Sequence, residues 1–468
     1  MSTKPYFPPQ ILLPLLVKYE QNSNTPIVST TLALLDSPKY AQTKITLLDP
    51  ALPSAGQENI HPPPYAASTD SSRIIRPDYA SPAYSALAAE AQEIWRRDYT
   101  ANGIYHETGL AVVADGINED GAGYVRKSRE NVSTSSETTR GARIEGLDSR
   151  EEITRILKGA GGGSGESGYV NWGSGWADAA SAMKVVMDKF LAYGKRVDMV
   201  RGKAERLIFE ENTGDKRKVV GVGLEGGREV SAKVTILAAG AWSGSLVDLR
   251  GIAEARGQVV AYVRLSTPER RRLANMPILL NLGTGMFVIP PPLSLPASDE
   301  QGGILKVARH GFGYRNPVCA PALGGVQVSL PSPNSSVLPT EGRQACRTFL
   351  SQVLPWLSTR PFCEERICWY TDTPTGDFLI DWHPGFAGLF LATGGSGHGF
   401  KFLPVLGECV IAILEGDEAR TGQMGELGKL WGWRERLGVE KVETQDGSRS
   451  GKRGMVLAEE MARGASRL

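Results

Sequence analysis

The stretch Leu389-Phe390-Leu391-Ala392 runs into Thr393-Gly394-Gly395-Ser396-Gly397-His398-Gly399-Phe400-Lys401-Phe402, and this junction decides the fold. The apolar run is long enough for a buried strand. Four glycines within six residues follow it. Glycines so packed let backbone approach a flat or anionic ligand closely, with N–H groups exposed. His398 and Lys401 add donors and positive charge. A plain tight turn between strand and helix is the competing reading of the same residues.

Just upstream stands Ile367-Cys368-Trp369-Tyr370-Thr371-Asp372-Thr373-Pro374, then Asp377-Phe378-Leu379-Ile380-Asp381. Together with Ser-Gly-His-Gly-Phe-Lys-Phe, this segment resembles the FAD-dependent amine oxidases of the monomeric sarcosine oxidase, pipecolate/saccharopine oxidase and fructosyl amino acid oxidase group. The resemblance implies a Rossmann-like FAD-binding domain with a discontinuous β-rich substrate domain, of the glutathione-reductase-like type. The fold class is then α/β plus antiparallel β. It also implies that Cys368 carries the flavin covalently and that Gly397, His398, Gly399, Phe400 and Lys401 lie at the flavin. Lys401 would help hold the substrate carboxylate, with Tyr370 beside it at the catalytic centre. The bland reading of Cys368 is a buried free thiol.

Bulk properties fit. A chain of 468 residues can form two or three domains, and its composition is ordinary: 41% hydrophobic, 22% charged, net charge +1. Near-neutral charge argues against nucleic acid as the main partner. Five cysteines, not in metal-ligand spacing, suit a reducing compartment. No apolar run is long enough to predict a transmembrane helix.

Residues 8–18 read as a short strand interrupted by Pro14, residues 29–35 as a helix, and Lys44–Asp49 as a buried strand ending in an acid. Strand, helix, strand, acid opens a dinucleotide-binding unit, with Asp49 on the adenosine ribose. Here the chain departs from the family. The Gly-x-Gly-x-x-Gly turn should lie between the first strand and the helix, yet the first glycine in the chain is Gly56. Side chains there would block the pyrophosphate and push the helix off the strand, and Glu20 would add like charge. Two explanations stand: a degenerate chain that has lost FAD binding, or a misread gene segment replacing the loop. The family-like sequence after Ser29 favours the second.

Ala67–Tyr79 contains Ser72-Arg73-Ile74-Ile75-Arg76. It resembles the family's Arg-Ile-Ile-Arg segment over the flavin, which implies that Arg76 holds the substrate carboxylate and that Ser72 and Arg73 support the flavin. Arg suits this role through its planar fork of donors; without the match, two surface arginines would be the default. Residues 82–97 read as an amphipathic helix, and 113–168 as polar and irregular. Asn131-Val132-Ser133 reads as ordinary loop. Gly159–Gly168 lacks the Gly-Lys-Ser/Thr ending of a phosphate loop and reads as a flexible connection. A helix is predicted over 177–192 and a strand over 195–204, whose end at Ala204 would meet the adenine by family analogy. Val234–Ser243 reads as a buried strand ending in Gly240-Ala241-Trp242, resembling a second FAD contact.

Alternating patterns over 257–350 predict an antiparallel sheet. Within it, Lys306 and His310 stand four apart, as in the family. The resemblance gives Lys306 the activation of dioxygen and His310 a role at the substrate; exposed basic residues on an edge strand are the alternative. Residues 444–463 read as a solvated strap. The terminal Ser466-Arg467-Leu468 is a conservative variant of a peroxisomal address read by an import receptor.

The expected domains are a FAD-binding unit from 1–80, 150–256 and 365–430, a substrate unit from 81–149 and 257–364, and a strap at 431–468. The expected activity is oxidation of a C–N bond in a secondary or N-substituted amino acid, with dioxygen as acceptor and hydrogen peroxide as product. The protein is expected as a peroxisomal monomer (the cytoplasm being the alternative), with no metal, no nucleic acid and no membrane partner. A ring-forming amine oxidase of secondary metabolism and a non-catalytic homologue are the other readings.

Overall fold

The computed structural model describes residues 11–14, 25–50, 52, 70–116, 118–134, 141–211, 217–291, 303–417, 424–434 and 442–465. Segment 15–24, which replaces the expected glycine turn, and Ser466–Leu468 lie outside them.

Two large sheets dominate. The first has six strands in the order Leu379–Trp382, Leu389–Thr393, Val234–Leu237, Ile11–Pro14, Ile45–Leu48 and Val197–Val200. All neighbours pair in parallel except the first two. These strands are short and apolar, and Ile45–Leu48 and Leu389–Thr393 are buried throughout, as strands covered on both faces must be. The helix Thr25–Asp36 packs against Leu406–Glu415. Ser29 Oγ donates to the Leu403 carbonyl and accepts from Gly407 N–H, both at 2.7 Å. A Cβ at Gly407 would sit 2.1 Å from the Ser29 carbonyl oxygen, so only glycine permits this approach. The helix Pro82–Tyr99 starts at Ser81, whose side chain accepts from Tyr84 N–H, and buries Trp95 against the loop at Lys401.

The second sheet has eight strands: Glu364–Asp372, Glu254–Arg264, Ile304–Arg309, Met286–Ile289, Ile278–Asn281, Leu110–Ala114, Ser167–Asn171 and Ile144–Leu147. Its pairs are antiparallel except Ile278–Asn281 with Leu110–Ala114. The architecture is thus α/β plus antiparallel β. Strands Ser167–Asn171 and Glu364–Asp372 belong to this larger sheet, although they fall mostly within the chain ranges expected for the FAD-binding unit. A three-stranded sheet, Arg73–Ile75 with Gly175–Ala177 with Tyr105–His106, adds a further layer that carries Arg73.

Three local readings need correction. Residues 113–168 are not irregular: they contain the helices Glu119–Thr134 and Arg150–Ile156 and the strand Ile144–Leu147. Asn131 sits on the first of these helices, donating to the Tyr79 and Ala80 carbonyls. The single strand read over 195–204 is two, Val197–Val200 in the parallel sheet and Ala204–Phe209 in a smaller antiparallel one, broken at Arg201–Lys203 around Gly202. The tail is not a solvated strap. Ser448, Arg449 and Ser450 are buried, and the last described residues form a helix, Leu457–Ala465.

Candidate functional site

Where the two sheets meet, one cavity is lined by Arg73, Arg76, Lys306, His310, Tyr370, Gly397, His398, Phe400 and Lys401, with Ile74, Leu280, Phe287 and Ile289 as its apolar wall. Five separate chain segments contribute: 73–76, 280–289, 306–310, 370 and 397–401. Alternation along Ile304–Arg309 turns Lys306 inward, and pairing of Ile289 with Lys306 sets its level.

A buried carboxylate organises one side. Lys306 Nζ donates to Asp70 Oδ2 at 2.6 Å and to the Ser72 carbonyl at 2.8 Å. Asp70 also lies 3.2 Å from Arg73 and 3.6 Å from Arg366, and accepts from Tyr262 Oη at 2.7 Å. Burial works against its charge, but Lys306, Arg73 and Arg366 outweigh it and hold the carboxyl well below the usual range. Burial pulls the Lys306 ammonium down to about 8, with Asp70 opposing that fall. Lys306 is therefore charged at neutral pH and close to losing its proton. Arg73 Nη2 also reaches Cys368 Sγ at 3.4 Å, which puts a cation beside the thiol.

The opposite side is built on the glycine loop. Lys401 Nζ contacts Tyr79 Oη, and His398 Nδ1 contacts the same oxygen, both at 2.9 Å. Burial, then Arg76, push the Lys401 ammonium well below its usual range. Burial likewise holds His398 neutral. Arg76 is 7% exposed, and its Nη1 is buried without a hydrogen-bond partner among the described residues. Arg76 also lines the cavity, and an orphaned guanidinium N–H is a ready donor to an anion. Gly397 has φ +68°, and a Cβ there would enter the Tyr370 ring at 2.2 Å, so the loop can lie on Tyr370 only as glycine.

His310 is set by a residue the sequence reading placed in a solvated tail. Arg449 Nη1 lies 3.0 Å from His310 Nδ1, and its Nη2 donates to Asp372 Oδ1 and to the Ser396 carbonyl, both at 2.8 Å. A guanidinium can only donate, so Nδ1 accepts and the ring proton is on Nε2. Burial, then Arg449 and Arg76, hold His310 neutral. Burial raises the Asp372 carboxyl to about 6, with Arg449 opposing. Sequence reasoning missed Arg449, Asp70 and Tyr79. The last two stand in the quoted Arg-Ile-Ile-Arg stretch, where an acid before and an aromatic after the arginines were the available signal.

Asp49, Gly240 and Trp242 follow the carboxyl ends of parallel strands, where such sheets bind nucleotides. Asp49, 1% exposed, directly follows Ile45–Leu48 and anchors its N–H on the Val200 carbonyl. Gly240 and Trp242 stand in the turn after Val234–Leu237, tied to the glycine loop through Ser243 Oγ and Thr393 Oγ1 at 3.0 Å. Ala204 is buried at the start of its strand. Thr25 Oγ1, in the first turn of Thr25–Asp36, is buried without a partner among the described residues, as is Trp242 Nε1. A Cβ on Gly395 would meet nothing within 4 Å, leaving an open cradle over the backbone. These features fit a dinucleotide flavin.

Comparison with known proteins agrees. The chain is 32% identical over 475 residues to the amino acid oxidase imqH of Aspergillus flavus, covering 86% of this chain and 94% of that protein. It is 30% identical over 391 residues to L-saccharopine oxidase of Schizosaccharomyces pombe, covering 80% and 85%. The crystal structure of fructosyl amine: oxygen oxidoreductase (Amadoriase I) from Aspergillus fumigatus superposes with a TM-score of 0.76 at 26% identity, covering 96% of this chain and 95% of that one. The family profile DAO, FAD dependent oxidoreductase, matches residues 29–413, and the chain belongs to that family.

Proposed function

We propose that the chain oxidises a C–N bond of a secondary or N-substituted amino acid, giving an imine that water hydrolyses and, with dioxygen, hydrogen peroxide. The observation that carries this is the buried, unpartnered Arg76 Nη1 at a cavity that also holds Lys306, His310 and Lys401. FAD would supply the acceptor for the hydride equivalents and the route of electrons to dioxygen. Arg76 binds the substrate carboxylate by its free N–H, joined by Lys401. The apolar wall of Leu280, Phe287 and Ile289 excludes water from the reacting centre. Arg449 occupies His310 Nδ1, so the ring carries its proton on Nε2, which lies 3.5 Å from Ser448 Oγ. Lys306 supplies a buried positive charge where negative charge develops on dioxygen.

Cys368 is the proposed covalent attachment point, with Arg73 beside its sulfur. Ser466-Arg467-Leu468 is the proposed peroxisomal address, read by an import receptor and tested by following a fluorescent fusion with and without the tripeptide. A peroxide-coupled screen of sarcosine, pipecolate, saccharopine and fructosyl amino acids tests the activity. One substrate with turnover supports it; no peroxide from a flavin-loaded protein across the panel and across N-methylated cyclisable amines rejects it. The absence of glycine before Gly56 favours the second reading, a non-catalytic homologue, which predicts a protein without flavin.

A further inference from the structure

Lys401 stands in a hydrogen-bond chain whose direction the structure fixes. His398 Nε2 lies 2.8 Å from the Gly376 carbonyl. A carbonyl only accepts, so Nε2 carries the proton and Nδ1 of the neutral ring is an acceptor. Tyr79 Oη, 2.9 Å from Nδ1, therefore donates to it. The phenol oxygen is left to accept from Lys401 Nζ at 2.9 Å. Lys401 Nζ makes a second donation, to the His398 carbonyl, also at 2.9 Å. A neutral amine has two N–H bonds and one lone pair. Both N–H bonds are committed to the loop side, so the lone pair occupies the remaining tetrahedral position. Lys401 is among the residues that line the cavity.

We propose that Lys401 takes the proton from the substrate's ammonium, and that Tyr79 and His398 are positioning residues that aim its lone pair. This rests on the reading of the cavity as an amine-oxidising site. An amino acid reaches the site as a zwitterion, whereas loss of hydride needs the free amine. In the step, one N–H bond of the substrate ammonium breaks and one forms on Lys401 Nζ. The electron pair of the broken bond stays on the substrate nitrogen. Lys401 becomes an ammonium whose new N–H points into the cavity and joins Arg76 on the carboxylate. Total charge is unchanged and no further reactant is needed.

The surroundings are consistent. Arg76 and Asp78 are the charged groups that act on Lys401, and the rings of Tyr79 and Phe402 cover it. Asp78 is occupied by Tyr169, Asn171 and Ser174. Among the described residues no carboxylate stands at ion-pair distance from Nζ, so nothing pins the resting amine in its charged form. His398, faced by Lys401, Arg449 and Arg76 and stacked on Phe378, stays neutral and keeps the direction of the chain.

The test joins two measurements on the flavin-loaded protein. In protein labelled with ¹³C at the lysine ε carbons, the signal missing from Lys401→Met identifies Lys401. It should stand at the amine position at pH 8, with other lysines at the ammonium position. With an amine substrate from the peroxide screen, wild-type kcat/KM should stay level for at least one pH unit below the substrate's ammonium pKa. In Lys401→Met it should fall about tenfold per pH unit there. Tyr79→Phe should shorten the level limb. His398→Leu should do the same, and His398→Gln, which can accept from Tyr79 and donate to Gly376, should restore it. An ammonium signal for Lys401 at pH 8 overturns the step in an active enzyme. So does a Lys401→Met profile parallel to wild type with only KM raised. If no amine yields peroxide, the amine-oxidising reading itself falls and this step with it.

Discussion

Lys306 should make the reaction with dioxygen depend on pH. Its ammonium titrates at about 8, because burial outweighs the pull of Asp70 2.6 Å away. From pH 7 to pH 9 the charged fraction drops from roughly nine-tenths to roughly one-tenth. If the charge speeds the reaction with dioxygen, the second-order rate constant of the reduced enzyme with O₂ should fall about ninefold across that interval. Lys306→Met should remove the dependence and lower the rate at pH 7 by about 10²–10³, the usual effect of losing one preorganised charge. Asp70→Asn tests the cause. The carboxylate favours the charged amine, so its loss moves the midpoint below 8, and the rate at pH 7.5 falls even though Lys306 is retained. The assay is anaerobic reduction followed by mixing with oxygenated buffer in a stopped-flow instrument from pH 6.5 to 9.5. A flat profile in the wild type, or an unchanged rate in Lys306→Met, would refute the reasoning.

Other outcomes follow from single contacts. Arg449→Met frees His310 Nδ1 and removes its nearest cation, so the imidazole should rise toward its ordinary value near 6.5. Burial, the larger cause, remains, so the acid limb of the kcat/KM profile should move to higher pH than in the wild type; superposable profiles would count against it. Cys368→Ser should leave flavin in the supernatant after acid precipitation, and flavin retained in the pellet would show another attachment. Gly407→Val places a side chain 2.1 Å from the Ser29 carbonyl and forces the two helices apart. About 1–3 kcal/mol of stability should be lost, seen as a Tm lowered by several degrees, and an unchanged melt would contradict the packing.

Much of this site was legible because it is written in local words. The glycine loop, Arg73 and Arg76, and Lys306 with His310 each stand in a short segment whose pattern limits what it can do. All of them converge on one cavity. What escaped was tertiary. Asp70 is one acid in a polar stretch, and its importance comes from Lys306, 236 residues away. Arg449 belongs to a hydrophilic tail; partners at Asp372 and Ser396 bury it. The helix Glu119–Thr134 was hidden because its mostly polar sequence buries only a narrow face, through Tyr124, Val125, Ser128 and Val132. The strand read over 195–204 was overextended because two extended segments in different sheets share a turn.

The proposed chemistry requires that this chain hold FAD with no glycine before Gly56. The most direct test is the absorption spectrum of the purified protein, before and after acid precipitation. The account predicts a flavin band that stays with the precipitate, joined through Cys368. A colourless protein, in a preparation that is folded and supplied with FAD, would contradict it.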